Sequence, residues 1–194
     1  MAWTGKTGWL FGLPPEKNPM QIRPLTPADA RAFQALRLEG LLEAPAAFGS
    51  SFEEERDLPL ATIAGRLEAT PEKAVIGAFE ATEGGTALAG VVGVMREDKV
   101  KQRHKAFIWG MYVAPGYRDR CLGRQLMEQA MAVAAAMPGL RQVTLCVNVI
   151  NAPAIALYEA MGFVRYGVEP QALYVAPDYH DKLEMVHMLA PRGQ

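Results

Sequence analysis

Residues 112–131 read YVAPGYRDRCLGRQLMEQAM. Three arginines, Arg118, Arg120 and Arg124, crowd a turn that also holds Gly116 and Gly123. Behind the turn Leu122, Leu126, Ala130, Val133 and Met137 fall at i, i+4, i+8, i+11 and i+15, the stripe of an amphipathic helix. Ahead of it KAFIWGMYVAP reads as a strand. A strand, a basic turn and a helix thus follow one another. A helix N-terminus presents unpaired amides and the positive end of the macrodipole, and glycine lets backbone approach a ligand closely. Three arginines against Asp119 leave a local charge of +2 in a chain whose net charge is −1. A diphosphate is the group this context would cradle. A solvated basic turn is the plainer alternative.

Upstream, MQIRPL reads as a first strand, and Thr26-Pro27 opens a helix with threonine as cap and proline at its first position. Ala30, Phe33, Leu36 and Leu41 give that helix an apolar face. In FGSSFEEERDL either Ser50 with Glu53 or Ser51 with Glu54 is spaced as a capping box, and PLATIAGRLE continues as a second helix. KAVIGAFEA and ALAGVVGVMRE are strands set apart by TEGGT and EDKVKQRH. Downstream, Pro138-Gly139 stops the long helix, RQVTLCV is a buried type of strand, and Asn151 caps a short helix ending at Gly162. FVRYGV and KLEMVHML close the chain as strands. The order is β-α-α-β-β-β-α-β-α-β-β. Three successive strands suit an antiparallel meander, and the strand–helix–strand unit from Lys105 to Val147 suits a parallel crossover. The expected fold is α/β, a mixed sheet flanked by helices.

The 194 residues suit one domain over residues 20–194 behind an extension, residues 1–19, rich in Gly and Pro and expected to be flexible. TGKTG in that extension lacks the glycine spacing of a phosphate-binding loop. Net charge −1 and pI near 6.3 argue against a nucleic-acid or acidic-membrane binder. Two cysteines, Cys121 and Cys146, make neither a disulfide framework nor a metal site and fit a reducing, cytoplasmic setting. No apolar run reaches membrane-spanning length.

The turn resembles the acetyl-coenzyme A signature of the GCN5-related N-acetyltransferase superfamily: Arg or Gln, two residues, Gly, one residue, Gly or Ala. Arg118 fills its first position and Gly123 its last, with Cys121 where the middle glycine stands. NAPAIALYEAMGF resembles a second signature of that family through Asn151, Ala154, Leu157, Tyr158, Gly162 and Phe163. The element order also matches, from Gln21 to Leu189. Cysteine is small, and at a helix start its φ need not be positive, so cofactor binding is expected to survive the exchange. Asp119 either caps the helix, competing with phosphate for its amides, or points to solvent and pairs with a neighbouring arginine.

The resemblance implies direct acetyl transfer from acetyl-CoA, with no metal, to a primary amine on a small molecule or on a peptide or protein N-terminus. A non-catalytic acyl-CoA sensor of the same fold is the alternative. A nucleotide-binding α/β protein needs a glycine-rich turn after the first strand, which RPLTPADA lacks. The implied cofactor contacts are the backbone of Met111, Tyr112 and Val113, the turn Arg118, Asp119, Arg120, Cys121, Leu122, Gly123 and Arg124, and Asn151 and Tyr158. Gly110 inside its strand is consistent with a bulge that stabilises the oxyanion, or with packing room beside Trp109. Tyr158 is the implied proton donor to the departing thiolate. An attacking amine must be neutral, which costs about 4.6 kcal/mol at pH 7 for a lysine-like group and about 1.4 for an α-amine. Glu54 is the leading general base, with Glu53, Glu55, Glu184, His104 and His180 as further candidates. Phe52 and Trp109 line either the acceptor pocket or the core. Dimerisation is common in the family, so a homodimer is the matching expectation, without an independent sign in the sequence.

Overall fold

Between residues 73 and 113 small and β-branched residues alternate with turn formers, and the chain folds there into three adjacent antiparallel strands: β2 (Lys73–Thr82), β3 (Gly85–Arg96) and β4 (Lys105–Val113). A computed structural model describes residues 20–190. Before the meander come β1 (Met20–Pro24), α1 (Ala30–Glu43), α2 (Phe52–Glu55) and α3 (Leu60–Leu67). After it come α4 (Leu122–Ala136), β5 (Gln142–Asn148), α5 (Ala152–Ala160), β6 (Val164–Val175) and β7 (Asp178–Met188). The strands form one sheet in the order β1-β2-β3-β4-β5-β7-β6. All neighbours are antiparallel except β4 and β5, which the α4 crossover makes parallel. The expected mixed sheet with helices on its faces is the observed one.

Period-two alternation gives each face its own core. Ile76, Val92, Val94, Ala106, Ile108, Val143, Leu145 and Met185 pack with Leu122, Leu126, Met127 and Ala130 of α4 and with Ile155 and Tyr158 of α5. Val75, Phe79, Val91 and Tyr112 face the other way, against Phe33, Leu36 and Leu41 of α1 and Ile63 and Leu67 of α3. Full burial of such a side chain is worth about 1.5–3 kcal/mol, so the two layers dominate stability. Of the two capping boxes the sequence allowed, Ser51 with Glu54 is the one formed: Ser51 N–H donates to Glu54 Oε2 at 2.7 Å and Glu54 N–H donates to Ser51 Oγ at 3.3 Å.

The last two strands run further than FVRYGV and KLEMVHML suggested. β6 continues through Glu169-Pro170, residues that read as a breaker, because it is an edge strand where a missing N–H costs little. Its pairing with β7 is irregular between Arg165 and Gly167 and again between Glu169 and Leu173, where Gln171 sits at φ 51°. No helix among the described residues is long and apolar enough to cross a membrane. The expected flexible extension, residues 1–19, lies outside the described residues.

Candidate active site

The parallel pair β4 and β5 holds together for three rungs only, Lys105 with Gln142, Ala106 with Val143 and Phe107 with Thr144. Beyond Thr144 the strands diverge. On the β3 side of β4 the register slips: Gly93 faces Trp109 but Val91 faces Tyr112, so Gly110 and Met111 together oppose Val92. This is a β-bulge, and Gly110 sits in it at φ 63°. A Cβ on Gly110 would approach nothing nearer than Arg37 Nη1, at 3.9 Å. Glycine is therefore required there by backbone conformation and not by crowding beside Trp109, which rests instead on Gly93, where a Cβ would come within 2.2 Å of the indole. The bulge bends β4 away from β5 and leaves a cleft lined by Trp109, Gly110, Met111, Cys146, Asn148, Asn151 and Tyr158. Backbone groups of β4 and β5 facing this cleft have no strand partner, so it is suited to a slender ligand laid in as an extra strand.

Tyr158 reaches the cleft from the buried face of α5 and is only 6% exposed. Burial pushes its phenol up to about 12, so it is a neutral donor throughout the physiological range. Asn151 caps α5, its Oδ1 accepting from Ala154 N–H at 3.2 Å. Asn148, which sequence reading passed over, is buried; its Nδ2 donates to the carbonyl of Ala46 at 3.2 Å and its Oδ1 accepts from Ile150 N–H. It thereby holds the turn after α1 against β5. Part of Cys146 is open to solvent, yet burial of its sulfur pushes the thiol up and keeps it protonated.

At the far end of β4 the chain enters the basic turn. The three arginines do not form an unopposed cationic patch, as the count along the sequence had suggested. Arg118 makes a two-pronged pair with Glu43 at the end of α1, at 3.0 and 2.6 Å, and donates through Nε to Val113 O. Its guanidinium holds the Glu43 carboxyl below the ordinary range. Arg120 pairs with Glu80 at 2.9 Å and Arg124 with Glu128 at 2.9 Å. The partners come from α1, β2 and the next turn of α4, so a window around the motif could not show the first two. Asp119 neither caps α4 nor pairs with an arginine, and it is exposed.

Cys121 is the N-cap of α4 and lies in the left-handed region at φ 56°, ψ 13°. This corrects the expectation that its φ need not be positive, and gives the physical reason a glycine suits the position. Its side chain caps nothing. The amides of Leu122, Gly123 and Arg124 therefore start a 15-residue helix without an acceptor among the described residues. Leu122 is fixed in the core, 2% exposed, so only its backbone is offered. At Gly123 a Cβ would meet Met111 Cε at 3.3 Å and Leu157 Cδ2 at 3.4 Å, which ties the helix start to the cleft. Uncapped amides at one end and unpaired strand edges at the other fit a long ligand with a diphosphate and a slender arm.

The remaining candidates are dispersed. Glu54 is exposed, committed to Ser51, and lines a surface hollow with Phe52, Tyr174 and Val175 rather than the Tyr158 cleft. Glu53 lies in the same hollow. Phe52 and Trp109 both pack, partly buried, against the α1–α3 core, which is the core alternative for this pair, and Trp109 also borders the cleft. Glu184 accepts from Tyr166 Oη at 3.2 Å. His104 lies in the turn before β4, its carbonyl accepting from Arg141 and Gln142. His180 and Asp178 line a pocket that shares Ala47, Asn148 and Asn151 with the cleft. Glu55 is buried; burial pushes its carboxyl up, but hydrogen bonds and charge from Arg37, aided by Arg66, outweigh this and hold it low. Arg37 was missed by sequence reading. The available signal was an arginine on the stripe of Ala30, Phe33 and Leu41.

Residues 38–163 match the sequence model of the acetyltransferase (GNAT) family. A GNAT-family acetyltransferase from Streptococcus pneumoniae superposes with a TM-score of 0.78 at 23% identity, over 89% of this chain and 100% of that one. A phosphinothricin acetyltransferase from Sinorhizobium meliloti, solved in complex with acetyl-CoA, gives 0.70 at 22%, over 88% of each chain. A ribosomal-protein-alanine N-acetyltransferase from Brucella melitensis gives 0.71 at 21%, over 87% of this chain and 99% of that one. These likenesses establish a shared fold. No curated protein sequence matches the chain.

Proposed function

The chain belongs to the acetyltransferase (GNAT) family, and from that membership we propose that it transfers the acetyl group of acetyl-CoA directly to a primary amine, on a small molecule or on a peptide or protein N-terminus. The observation that carries this reading is the cleft itself, where β4 and β5 part beside a glycine bulge and a buried tyrosine stands opposite. The uncapped start of α4 binds the diphosphate, and the backbone of Met111, Tyr112 and Val113 binds the pantetheine arm. Arg118 acts mainly by holding the turn to Val113 and Glu43.

The amine nitrogen bonds to the thioester carbon, the C–S bond breaks, CoA departs as the thiol, and the nitrogen gives up one proton. An amide released from the β3 ladder by the bulge stabilises the charge that gathers on the carbonyl oxygen. Tyr158 donates a hydrogen bond to the departing sulfur. Handing its proton to a thiolate of ordinary basicity (~8.5) from a phenol at about 12 is uphill by about 5 kcal/mol. Transfer therefore completes late, when the sulfur's charge is localised in the dry cleft. Burial pushes the Cys146 thiol up, which disfavours its thiolate and supports direct transfer over an acyl-enzyme.

For Glu54 to act as base it would have to release Ser51. We assign proton acceptance to His180, on the pocket contiguous with the cleft. The test of the whole reading is CoA-thiol release when purified protein meets acetyl-CoA and a panel of amines. The expected result is amine-dependent release with the acetyl-amine formed in equal amount; absence of release with every amine would refute it. If His180 is the base, H180Q lowers kcat by about tenfold or more at neutral pH, and E54Q changes it little.

A further inference from the structure

On the α1–α3 side of β4, next to the cleft, lies a pocket of about 350 Å³, at the lower end of the ~300–1,000 Å³ usual for small-molecule sites. Phe107, Trp109 and Met95 supply its apolar walls. Its polar lining is unbalanced: Arg37, Arg66 and Lys73 face it with Glu55 as the one carboxylate. Glu55 is shared by two arginines, Arg37 Nη2 at 2.9 Å and Arg66 Nη1 at 3.1 Å. Lys73 Nζ donates to the carbonyl of Gly65. Two positive charges are therefore left over in a partly apolar hollow, where an opposite charge is valuable.

The second observation is on Arg37. Its side chain is nine-tenths buried, stacked on Phe48 at 4.5 Å, and fixed through Nε and Nη2 by Glu55. Its Nη1 is buried with no hydrogen-bond partner among the described residues. Buried donors are nearly always satisfied, and a charged one left unmet is costly. This same nitrogen is the atom nearest to where a side chain on Gly110 would begin. A fixed, unsatisfied guanidinium N–H thus stands over the bulge where the thioester carbonyl is proposed to lie.

We infer that the acceptor is an amine carrying a carboxylate close to its nitrogen, an amino-acid-like molecule with an apolar side chain, and that Arg37, Arg66 and Lys73 read that carboxylate. The inference rests on the acetyl-transfer reading. In an α-amino acid one carbon bears both nitrogen and carboxylate, so an anion held at Arg37 keeps the nitrogen beside Gly110. Phe107 and Trp109 then cover the side chain. The reaction is the one already balanced: the N–C bond forms, the C–S bond breaks, CoA leaves as the thiol and the amine loses one proton. Arg66 and Lys73 are open to the pocket mouth, whereas Nη1 of Arg37 is closed to water and is met as the ligand seats.

The experiment measures thiol release from acetyl-CoA with the common apolar L-amino acids, each beside its carboxamide and its decarboxylated amine. A charge-assisted hydrogen bond predicts kcat/KM higher for the acid than for its amide by about tenfold or more. In R66Q and K73Q that ratio falls toward one through KM, and in R37Q it is lost. R37Q strips Glu55 of its main partner, so if it does not fold the R66Q/K73Q double variant reads the same ratio. Release as fast from amides and decarboxylated amines as from acids overturns this inference and leaves acetyl transfer standing. A preference for acids that survives the double variant overturns the assignment to Arg66 and Lys73, and one that survives in folded R37Q overturns the assignment to Arg37. No release with any member of this panel overturns this inference, and the wider amine panel, peptide N-termini included, then decides separately whether acetyl transfer stands.

Discussion

Replacing Cys121 with glycine should make the protein more stable, although a side chain is removed from a helix terminus. Cys121 sits at φ 56°, and a left-handed residue with a Cβ costs roughly 1–2 kcal/mol. Glycine removes that strain but loses about 0.4–1 kcal/mol to the greater freedom of its unfolded chain. The cysteine is exposed and caps nothing, so little packing is forfeited. The net gain is about 0.5–1 kcal/mol, or about 1–4 °C in Tm for a chain of this size. Cys121→Ala keeps the strained conformation and should stay within about 1 °C of the parent. Thermal melts of the three proteins, with and without acetyl-CoA, are the assay. The ligand should raise the Tm of C121G at least as much as that of the parent, because the amides of Leu122, Gly123 and Arg124 are untouched. A lower Tm for C121G, or one no higher than that of C121A, would show that the left-handed geometry carries no cost and that the reasoning is wrong.

Gly110→Ala should lower Tm by about 1–4 °C, since the added Cβ clashes with nothing and the roughly 1–2 kcal/mol backbone cost at φ 63° is partly offset by about 0.4–1 kcal/mol of lost unfolded-chain freedom; an unchanged melt would argue against the bulge. Tyr158→Phe should reduce kcat at least tenfold, a bound set below the ~10²–10⁴ typical of general acids, while the acetyl-CoA-induced Tm shift persists; full turnover in steady-state assays would make Tyr158 a packing residue. Asp29 is held down to about 2, first by its hydrogen bonds from Arg23 and then by those from Thr26. A depressed carboxyl stabilises the fold above its unfolded value of ~3.9 and loses that contribution as pH falls toward about 2. The stability gap between parent and D29N should be up to about 2 kcal/mol near neutrality, allowing for the partly exposed Arg23, and should close between about pH 4 and 2. A gap that stays constant over that interval in denaturant titrations would exclude the pair as its source.

Most of the architecture was legible because local pattern and tertiary demand agree. The α4 stripe, the meander's turn residues and the caps at Ser51 and Asn151 each specify an element within one window. What could not be read was long-range. The arginines of the turn look unopposed in the sequence because Glu43 and Glu80 are 75 and 40 residues from their partners. Glu54 looked available as a base because a capping carboxylate and a catalytic one are the same residue type at the same spacing. Arg37 went unnoticed because its meaning depends on Glu55, Phe48 and the bulge at Gly110, which only folding brings together. The bulge was half legible: a glycine in a strand allows either conformational or steric need, and only φ distinguishes them. β6 extends well past FVRYGV because it lies at the sheet edge, where a proline such as Pro170 is tolerated, and edge position is not visible in a local window.

The most direct test of the account is a crystal structure with acetyl-CoA bound. The account predicts the diphosphate on the amides of Leu122, Gly123 and Arg124, the pantetheine arm between β4 and β5, the thioester carbonyl on an amide of the Gly110–Met111 bulge, and the sulfur within hydrogen-bonding distance of the Tyr158 hydroxyl. A thioester seated away from that bulge, or a sulfur that Tyr158 cannot reach, would contradict it.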